Sequence, residues 1–320
     1  MKKSFRKKSN TLVISSPARL HLGFFGMQNM YGYSYGSMGL AINSYKSSIQ
    51  ISKSQKFDSN LPKKYITPIR TYLNSIKKKD NIKIFLNKKI QNHIGLGSGT
   101  QTALCVGKGV SELLNLSLTI EEISRIFKRG IRSGTGIGVF EKGGFVLDSC
   151  KKKNHLPKTL LRKKFPNEWK IILLSDSNIK GVFGESEEKF FSNSRDSKKY
   201  FSELSDITLR GILPSIVYKD FSNFAKAISG FQKITAHFYE KRQKGLFSSS
   251  HISRVIKFLS KSKNLGIGQS SWGPISYIFT ESLLSAKEII KIINTKFRMY
   301  NNLTYKITSA KNSGYKIKTI

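Results

Sequence analysis

Cysteine is almost absent from this chain: Cys105 and Cys150 are the only two in 320 residues. Two thiols so far apart in the sequence cannot build a disulfide framework or a thiolate metal site. We therefore expect both to be small, buried apolar side chains in a reducing compartment.

Long apolar runs are also lacking, which excludes the segments that carry chains into or across membranes. The first apolar stretch covers only residues 12–14 before polar Ser15 and Ser16, whereas a signal-peptide core needs about 7–15 apolar residues. No run approaches the roughly 20 apolar residues of a membrane span. The sequence therefore predicts a cytoplasmic protein with no membrane partner.

Acidic residues are scarce, with 19 Asp and Glu against 56 Lys and Arg, and the formal net charge is +37. Such a surplus raises the prospect of nucleic-acid binding, because clustered cations release counterions from phosphate backbones. Here the lysines form short runs that are separated by apolar segments along the whole chain. We interpret them as a solvated surface; nucleic-acid binding is the less favoured alternative, and attraction of small polyanions is a third.

What remains is the composition of a globular protein. Apolar residues make up 38% of the chain and aromatic residues 11%, which is enough for packed interiors. At 320 residues the chain exceeds the usual size of one domain, so two domains that share a cleft are expected. Strand and helix patterns alternate without an internal repeat, which indicates the α+β class.

The spacing of apolar residues and the residues typical of helix and strand ends predict the individual elements. Strands are predicted over residues 11–16, 38–42, 48–51, 82–90, 169–174 and 303–308, and helices over 68–76, 120–129, 209–217, 221–231, 252–260 and 286–297. Thr119 and Glu122 predict a capping box at the start of the second helix. A hairpin is predicted within 139–148, and the polar residues 150–164 are the candidate linker.

The clearest local signal is a glycine-rich loop, HIGLGSGTQT over 93–102, that opens a helix. Such a loop presents unpaired backbone N–H groups and the positive end of a helix dipole, so it can hold phosphate. It matches neither a Walker A loop nor the dinucleotide fingerprint, since Thr100 lies where the third glycine belongs. A tight turn is the alternative, but the glycines and hydroxyls favour phosphate binding by Gly95, Gly97, Ser98, Gly99, Thr100 and Gln101.

A second glycine segment, SGTGIG over 133–138, lies close to Arg129 and Arg132. Guanidinium groups suit a bidentate grip on phosphate oxygens. We therefore predict a further phosphate contact from Gly134, Gly136 and one of the two arginines.

Arg19 and His21 lie two residues apart, so their side chains point to the same side if the first strand continues. A lone histidine is more often structural than catalytic, and only its neighbours keep a site role open for His21. Three tyrosines, Tyr31, Tyr33 and Tyr35, are surface or packing residues in one interpretation and a platform for an aromatic substrate in the other.

Four sequence blocks follow one another in a fixed order: PARLHLG at 17–23, GLGSGTQ at 95–101, GTGIGVFEKGGF at 134–145 and GQSSWGP at 268–274. In this order they resemble the bacterial branch of the β-ribofuranosylaminobenzene 5′-phosphate synthase family, within the GHMP-kinase superfamily. The segments GVFGESE at 181–187 and SAKNSG at 309–314 are also similar to family segments. The likeness covers nearly the whole chain.

The resemblance implies a two-domain GHMP-kinase-type α+β fold, with a ribosomal-protein-S5-like domain over 1–165 and a ferredoxin-like domain over 166–320. It implies that phosphoribosyl pyrophosphate condenses with 4-aminobenzoate or another para-substituted benzoate. Carbon dioxide and pyrophosphate are released, and the product enters tetrahydromethanopterin biosynthesis. Mg²⁺ is the expected cofactor, and a homodimer stays open.

Site roles are implied in the same way. Arg129 matches the family pattern, and it is preferred over Arg132 as the phosphate-binding arginine. The implied catalytic residues are Arg19, His21, Glu141 and Glu185, with Glu141 also the candidate Mg²⁺ ligand, and the implied substrate-binding residues are Ser270, Ser271 and Trp272.

Three positions depart from the family pattern. Gly26 replaces an Asp, Tyr33 replaces an Arg, and Ser37 replaces a glycine. If the missing Asp binds metal or positions substrate, activity or substrate choice differs here. An ATP-dependent small-molecule kinase on the same fold is the first alternative function, and a basic nucleic-acid-binding protein is the second.

Overall fold

Helices and strands are mixed along the chain. The computed structural model describes residues 11–26, 29–92, 94–179, 198–243, 245–261, 264–271 and 273–320. The described helices are α1 (Lys63–Ser75), α2 (Ser98–Leu114), α3 (Ile120–Ile126), α4 (Thr135–Lys142), α5 (Lys198–Asp206), α6 (Leu213–Tyr218), α7 (Phe221–Gln243), α8 (Ser250–Leu259) and α9 (Leu283–Lys296), with a π-helical segment over Ile207–Ile212 before α6.

The strands form two larger sheets and one two-stranded ribbon. They are β1 (Thr11–Gly26), β2 (Tyr33–Ser34), β3 (Gly36–Lys53), β4 (Asp58–Ser59), β5 (Ile82–Lys88), β6 (Phe145–Asp148), β7 (Lys151–Lys152), β8 (Thr159–Lys163), β9 (Lys170–Asp176), β10 (Gly266–Gln269), β11 (Ser276–Thr280), β12 (Leu303–Thr308) and β13 (Lys316–Thr319). The first sheet has the order β13-β1-β3-β5-β4, with β6 paired to β3 and β8 to β6; the second has the order β10-β11-β9-β12, and β2 pairs with β7.

The long antiparallel pair β1 and β3 divides into two parts, because its register shifts between Pro17 and Ala18. Before the shift, Ile14 packs in a core with the helices α1, α2 and α3. After it, Leu20 and Leu22 pack in a second core that also contains side chains of the other sheet. A shift of this kind interrupts the ladder and redirects the strand, and here it lies just before Arg19 and His21.

The second sheet buries both of its faces. Along β9, Ile171 and Leu173 join the core shared with β1, whereas Ile172 and Leu174 join a core with α8 and α9. This alternation follows from the period of two in a strand. The continuous core between the sheets holds the end of β1 beside the turn that follows β10.

Most predicted elements are present with shifted ends. The strand over 303–308 is β12, and the capping box is confirmed, since Thr119 Oγ1 accepts from the Glu122 N–H at 3.2 Å and the Glu122 carboxylate accepts from the Thr119 N–H at 2.8 Å. The helix predicted from residue 68 begins at Lys63 and contains Pro68. Burial of an apolar stripe extends it upstream, because tertiary packing outweighs the local start signal.

Two predictions between residues 133 and 164 are wrong. Residues predicted to begin a hairpin form the helix α4, because Gly138 provides close packing rather than a turn: a Cβ there would lie 2.7 Å from Val146 Cγ1. The passage predicted as a linker contains β7 and β8, and β8 pairs with β6. Polar composition there reflects an exposed edge of the sheet.

The cysteines are free thiols, and they differ in burial. Cys105 is buried as predicted, and burial raises its pKa to about 12. Cys150 is only half-buried. No described helix combines the length and apolarity that crossing a bilayer requires.

Candidate functional site

The first glycine loop is clamped from both sides by backbone and serine contacts. The Arg19 N–H donates to the Leu96 carbonyl at 3.0 Å, and Ser270 Oγ donates to the Gly95 carbonyl at 2.6 Å. Gly95 and Gly97 have φ angles of 86° and 73°, which favour glycine. The clamp fixes the entry into α2.

The first backbone N–H groups of α2 receive no hydrogen bond from a capping side chain of the described residues. Gly97 is the N-cap residue of this helix. The first N–H groups of a helix lack internal partners and carry partial positive charge. Backbone donors at Ser98, Gly99 and Thr100 therefore suit an anion.

Arg129 adds a full positive charge beside this helix end. Its Nη1 would lie 3.5 Å from a Cβ placed on Gly99, and burial lowers its pKa while the nearby Tyr65 raises it. Its Nε is buried without a hydrogen-bond partner among the described residues, and none of the described carboxylates forms an ion pair with it. A cation in this position calls for an anionic partner.

Arg19 and His21 lie on the other side of the loop. A Cβ on Gly97 would lie 3.5 Å from Arg19 Nε. Burial, followed by the charges of Arg19 and Arg132, holds the pKa of His21 well below 6.5, so its imidazole is neutral at pH 7. Its Nε2 is buried and has no hydrogen-bond partner in the described part of the chain.

The second glycine segment contacts the first. Gln101 Nε2 donates to the Gly136 carbonyl at 2.9 Å, and a Cβ on Gly136 would lie 3.1 Å from Thr100 Cγ2. The Gly134 N–H donates to a carboxylate oxygen of Asp148 at 2.8 Å. The two glycine segments predicted from sequence are therefore neighbours, and the phosphate contacts assigned to Gln101, Gly134 and Gly136 stay predictions.

The turn after β10, at residues 270–271, contacts both His21 and the first glycine loop. Ser270 Oγ accepts from the His21 N–H at 3.0 Å, so this serine joins His21 to the first loop. Ser271 has a φ of 54° and lines a cavity of about 20 Å³ with His21 and Gln269. Trp272 lies outside the described residues.

Of the two acidic residues predicted for catalysis, the structure describes only Glu141. Glu141 is exposed in the last turn of α4, five residues or about 7.5 Å of helix beyond Gly136. Although the residue as a whole is exposed, desolvation of its carboxyl group by neighbouring atoms raises its pKa; Lys142 lowers it and Glu121 raises it. Glu185 lies outside the described residues. Across the residues that the structure describes, no three His, Cys, Asp or Glu side chains cluster as metal ligands. The Mg²⁺ cofactor and its assignment to Glu141 stay predictions.

Asp148 is the main site-adjacent residue that the sequence did not single out. It is fully buried and accepts hydrogen bonds from Ser37 and from the second glycine segment. The sequence does contain a signal for it, because Asp148 directly follows the apolar run 145–147. A carboxylate that is buried with such a strand requires hydrogen-bond donors. Ser37, noted only as a departure from the family, is its partner.

The three tyrosines are placed by packing and exposure. Tyr31 is 91% exposed and Tyr33 is 47% exposed, and Tyr33 pairs with Lys152 in the small ribbon. Tyr35 lies with its ring 6.1 Å from that of Phe24. This arrangement fits the surface and packing interpretation.

A family model supports the relationship suggested by the loops. Residues 60–140 match the model described as GHMP kinases N terminal domain. That range includes α2 and the second glycine segment.

Two curated relatives match over nearly the full length. The β-ribofuranosylphenol 5′-phosphate synthase of Archaeoglobus fulgidus is 30% identical over 96% of this chain and 99% of its own length. The protein of the same name from Methanocaldococcus jannaschii is 28% identical over 96% of this chain and 100% of its own length.

Solved structures show the same fold at low identity. Mevalonate diphosphate decarboxylase from Staphylococcus aureus has a TM-score of 0.73 at 13% identity, over 97% of this chain and 98% of that chain. Homoserine kinase from Cytophaga hutchinsonii has a TM-score of 0.67 at 14% identity, over 99% and 100%. These likenesses confirm the GHMP-kinase-type α+β fold. With the full-length match at 30% identity, the chain belongs to the β-ribofuranosylphenol 5′-phosphate synthase family.

Proposed function

We propose that this protein is a decarboxylating phosphoribosyl transferase, which joins phosphoribosyl pyrophosphate to a para-substituted benzoate and releases pyrophosphate and carbon dioxide. Membership of the synthase family supports the reaction class. The observation that carries the proposal in this chain is the anion site formed by the α2 N-terminus and Arg129.

Charge around the loop suits this pair of substrates. Arg19 lies against Gly97, Arg129 lies against Gly99, and the charge of Arg132 acts on His21. Phosphate, pyrophosphate and carboxylate groups are all anionic, so a site with cations and helix N–H donors attracts both reactants. Neutral His21 adds a polar group without adding repulsion between like charges.

The proposed reaction needs no covalent nucleophile. The bond from ribose C1 to the pyrophosphate oxygen breaks, and pyrophosphate leaves with the electron pair. The ring carbon that bears the carboxylate bonds to C1, and loss of carbon dioxide returns its bonding electrons to the aromatic ring. Positive groups fixed at the departing pyrophosphate stabilise the charge that develops there.

We assign pyrophosphate to residues 97–101 and Arg129. Backbone donors meet there a guanidinium whose Nε is buried with no hydrogen-bond partner among the described residues. Arg19, His21 and the turn at 270–271 then border the place where sugar and ring meet. The described residues form no metal cluster; if Mg²⁺ takes part, we propose that it enters on pyrophosphate oxygens, which are its usual ligands.

The acceptor is the least constrained partner. The relatives are named for a ribofuranosylphenol, a product whose ring carries a hydroxyl. We therefore propose 4-hydroxybenzoate as the first acceptor to test and 4-aminobenzoate as the second.

The reaction assay combines phosphoribosyl pyrophosphate, Mg²⁺ and each benzoate, and it follows carbon dioxide and pyrophosphate together. Equal release of both, dependent on the benzoate, is expected. A parallel assay replaces phosphoribosyl pyrophosphate with ATP. ATP-dependent phosphorylation without carbon dioxide release would overturn the proposal in favour of a small-molecule kinase.

A further inference from the structure

Asp148 is a buried carboxylate with an unusually complete set of donors. It is the last residue of β6 and is fully buried. One oxygen accepts from the Ser37 N–H at 2.9 Å and the Cys150 N–H at 3.4 Å. The other accepts from Ser37 Oγ at 2.5 Å and the Gly134 N–H at 2.8 Å.

A chain of hydroxyls extends this network into the second glycine segment. Ser37 Oγ lies 2.7 Å from Ser133 Oγ, and Ser133 Oγ lies 2.8 Å from Thr135 Oγ1. The Thr135 N–H also donates to Ser133 Oγ at 3.3 Å. Asp148 therefore holds residues 133–135 through one backbone bond and one hydroxyl relay.

Residues 133–136 have little room to move independently. A Cβ on Gly134 would lie 2.5 Å from the Pro157 carbonyl oxygen, and one on Gly39 would lie 2.7 Å from Thr135 Cβ. The Gly136 carbonyl accepts from Gln101 in the first turn of α2. A displacement of this segment is therefore transmitted to the helix end that lies beside Arg129.

We propose that Asp148 is a positioning residue for the anion site, that it holds residues 133–136 against the first glycine loop, and that Ser37 is its relay. The identity of the bound anion rests on the proposed function; the positioning itself does not. The Ser37 hydroxyl, which bonds both Asp148 and Ser133, strengthens this support.

The chemistry of the network requires a carboxylate. Three backbone N–H groups and a hydroxyl point at its two oxygens, and a carboxylate can accept from all of them. An asparagine would turn an NH₂ group towards one of the N–H donors. A buried donor left without an acceptor is costly, so the segment should shift or loosen.

The test compares Asp148→Asn with a matched control, Asp176→Asn. Asp176 is also buried at the end of a strand and accepts from Ser249 Oγ at 2.6 Å and the Asn178 N–H at 2.9 Å, but it belongs to the second sheet. Amide hydrogen exchange of residues 133–138 reports the positioning. Calorimetric titration with pyrophosphate reports the anion site.

We expect Asp148→Asn to speed exchange of residues 133–138 and to weaken pyrophosphate binding, each about tenfold, the effect of one lost charge-assisted bond. Ser37→Ala keeps the carboxylate and breaks the relay, so a smaller change of the same sign is expected, about threefold. Asp176→Asn should lower the melting temperature with less than about a twofold change in either readout.

If Asp148→Asn does not fold, Ser37→Ala alone decides the proposal. Unchanged exchange and affinity in the folded Asp148 variant, or equal changes in Asp176→Asn, would overturn it. Faster exchange with unchanged affinity would overturn its link to the anion site. If the wild-type protein does not bind pyrophosphate, the proposed function fails, and the exchange data still decide whether Asp148 positions the segment.

Discussion

The two glycine segments look alike in sequence but differ in how their backbone donors are used. At the first segment the N-terminus of α2 has no side-chain cap among the described residues, and Arg129 lies beside it. At the second, the Gly134 N–H donates to Asp148 and the Gly136 carbonyl accepts from Gln101. The backbone donors of the first segment are thus left for a ligand, whereas those of the second are used in internal hydrogen bonds that support the first segment.

The largest expected effect is at the first segment. Gly97→Val should abolish pyrophosphate binding, more than about 100-fold, because a β-branched residue is strained at positive φ and fills the space beside the anion. The control is Gly32→Val, since Gly32 also has positive φ, at 83°, with no atom within 4 Å of its Cβ position. Titration of both folded variants checks this; wild-type affinity in Gly97→Val would contradict the role of the first segment.

Arg129 should be the next most sensitive position. Arg129→Ala should lower kcat/KM for phosphoribosyl pyrophosphate by roughly 30- to 1000-fold, equivalent to about 2–4 kcal/mol of transition-state stabilisation. Arg129→Lys should recover part of this, because lysine keeps the charge but loses the bidentate geometry. Arg132→Ala should cost less. Steady-state kinetics measure these effects, with circular dichroism to confirm folding.

A matched control is Arg210→Ala, an exposed arginine that pairs with Asp206. Near wild-type kinetics are expected for it. If Arg129→Ala behaved in the same way, the guanidinium would have no part in the site.

The supporting segment predicts a dependence of stability on pH. Burial raises the pKa of Asp148 from 3.8 to about 6, against the opposing effect of hydrogen bonds from Ser37, Gly134 and Cys150. The folded protein binds the Asp148 proton more tightly than the unfolded chain does. Protonation of Asp148 therefore adds to the free energy of unfolding, in full below pH 3.8, and this contribution is lost as the pH rises through 6. The raised pKa corresponds to a contribution of about 3 kcal/mol to the free energy of unfolding.

Urea unfolding of wild type and Asp148→Asn between pH 4 and about 7 tests this linkage. The difference in unfolding free energy between the two proteins should change across this range, because asparagine does not titrate. Cys150, whose own pKa is raised mainly by burial and further by Asp148, stays a neutral thiol throughout. A difference that does not vary with pH would show that Asp148 keeps an ordinary pKa.

The smallest expected effect is away from both segments. Lys151 and Lys152 form β7 on the surface ribbon, and Lys153 follows them, exposed. Replacing the three with glutamine should weaken retention on a polyanion column and leave turnover within about twofold, since exposed charges are screened. Loss of turnover in the folded variant would place this ribbon in the site.

Sequence predicted the parts whose signals are local. The glycine loop before α2, the capping box of α3 and the strand β12 each depend on neighbouring residues, and all are present. The helix α4 was missed because its glycines are selected by close packing, Gly138 against Val146 of β6 and Gly136 against Thr100 of α2. Such contacts have no local signature in the sequence.

The same limit applies to the site. The family resemblance implied that Arg19, Arg129 and residues 270–271 belong to one site, but only the fold brings them to one loop. Asp148 and Ser37 are 111 residues apart, so their hydrogen bonds follow from strand pairing and not from any motif. Glu141 was implied by resemblance alone, and the structure places it at the far end of α4.

The difference between the two segments can be measured residue by residue. Titration of ¹⁵N-labelled protein with pyrophosphate, followed by amide chemical shifts, should show the largest changes at Gly97, Ser98 and Gly99. The amide of Gly134, already bonded to Asp148, should change much less. Largest shifts at residues 133–138, or no saturable shifts in either segment, would contradict the assignment of the anion to the N-terminus of α2.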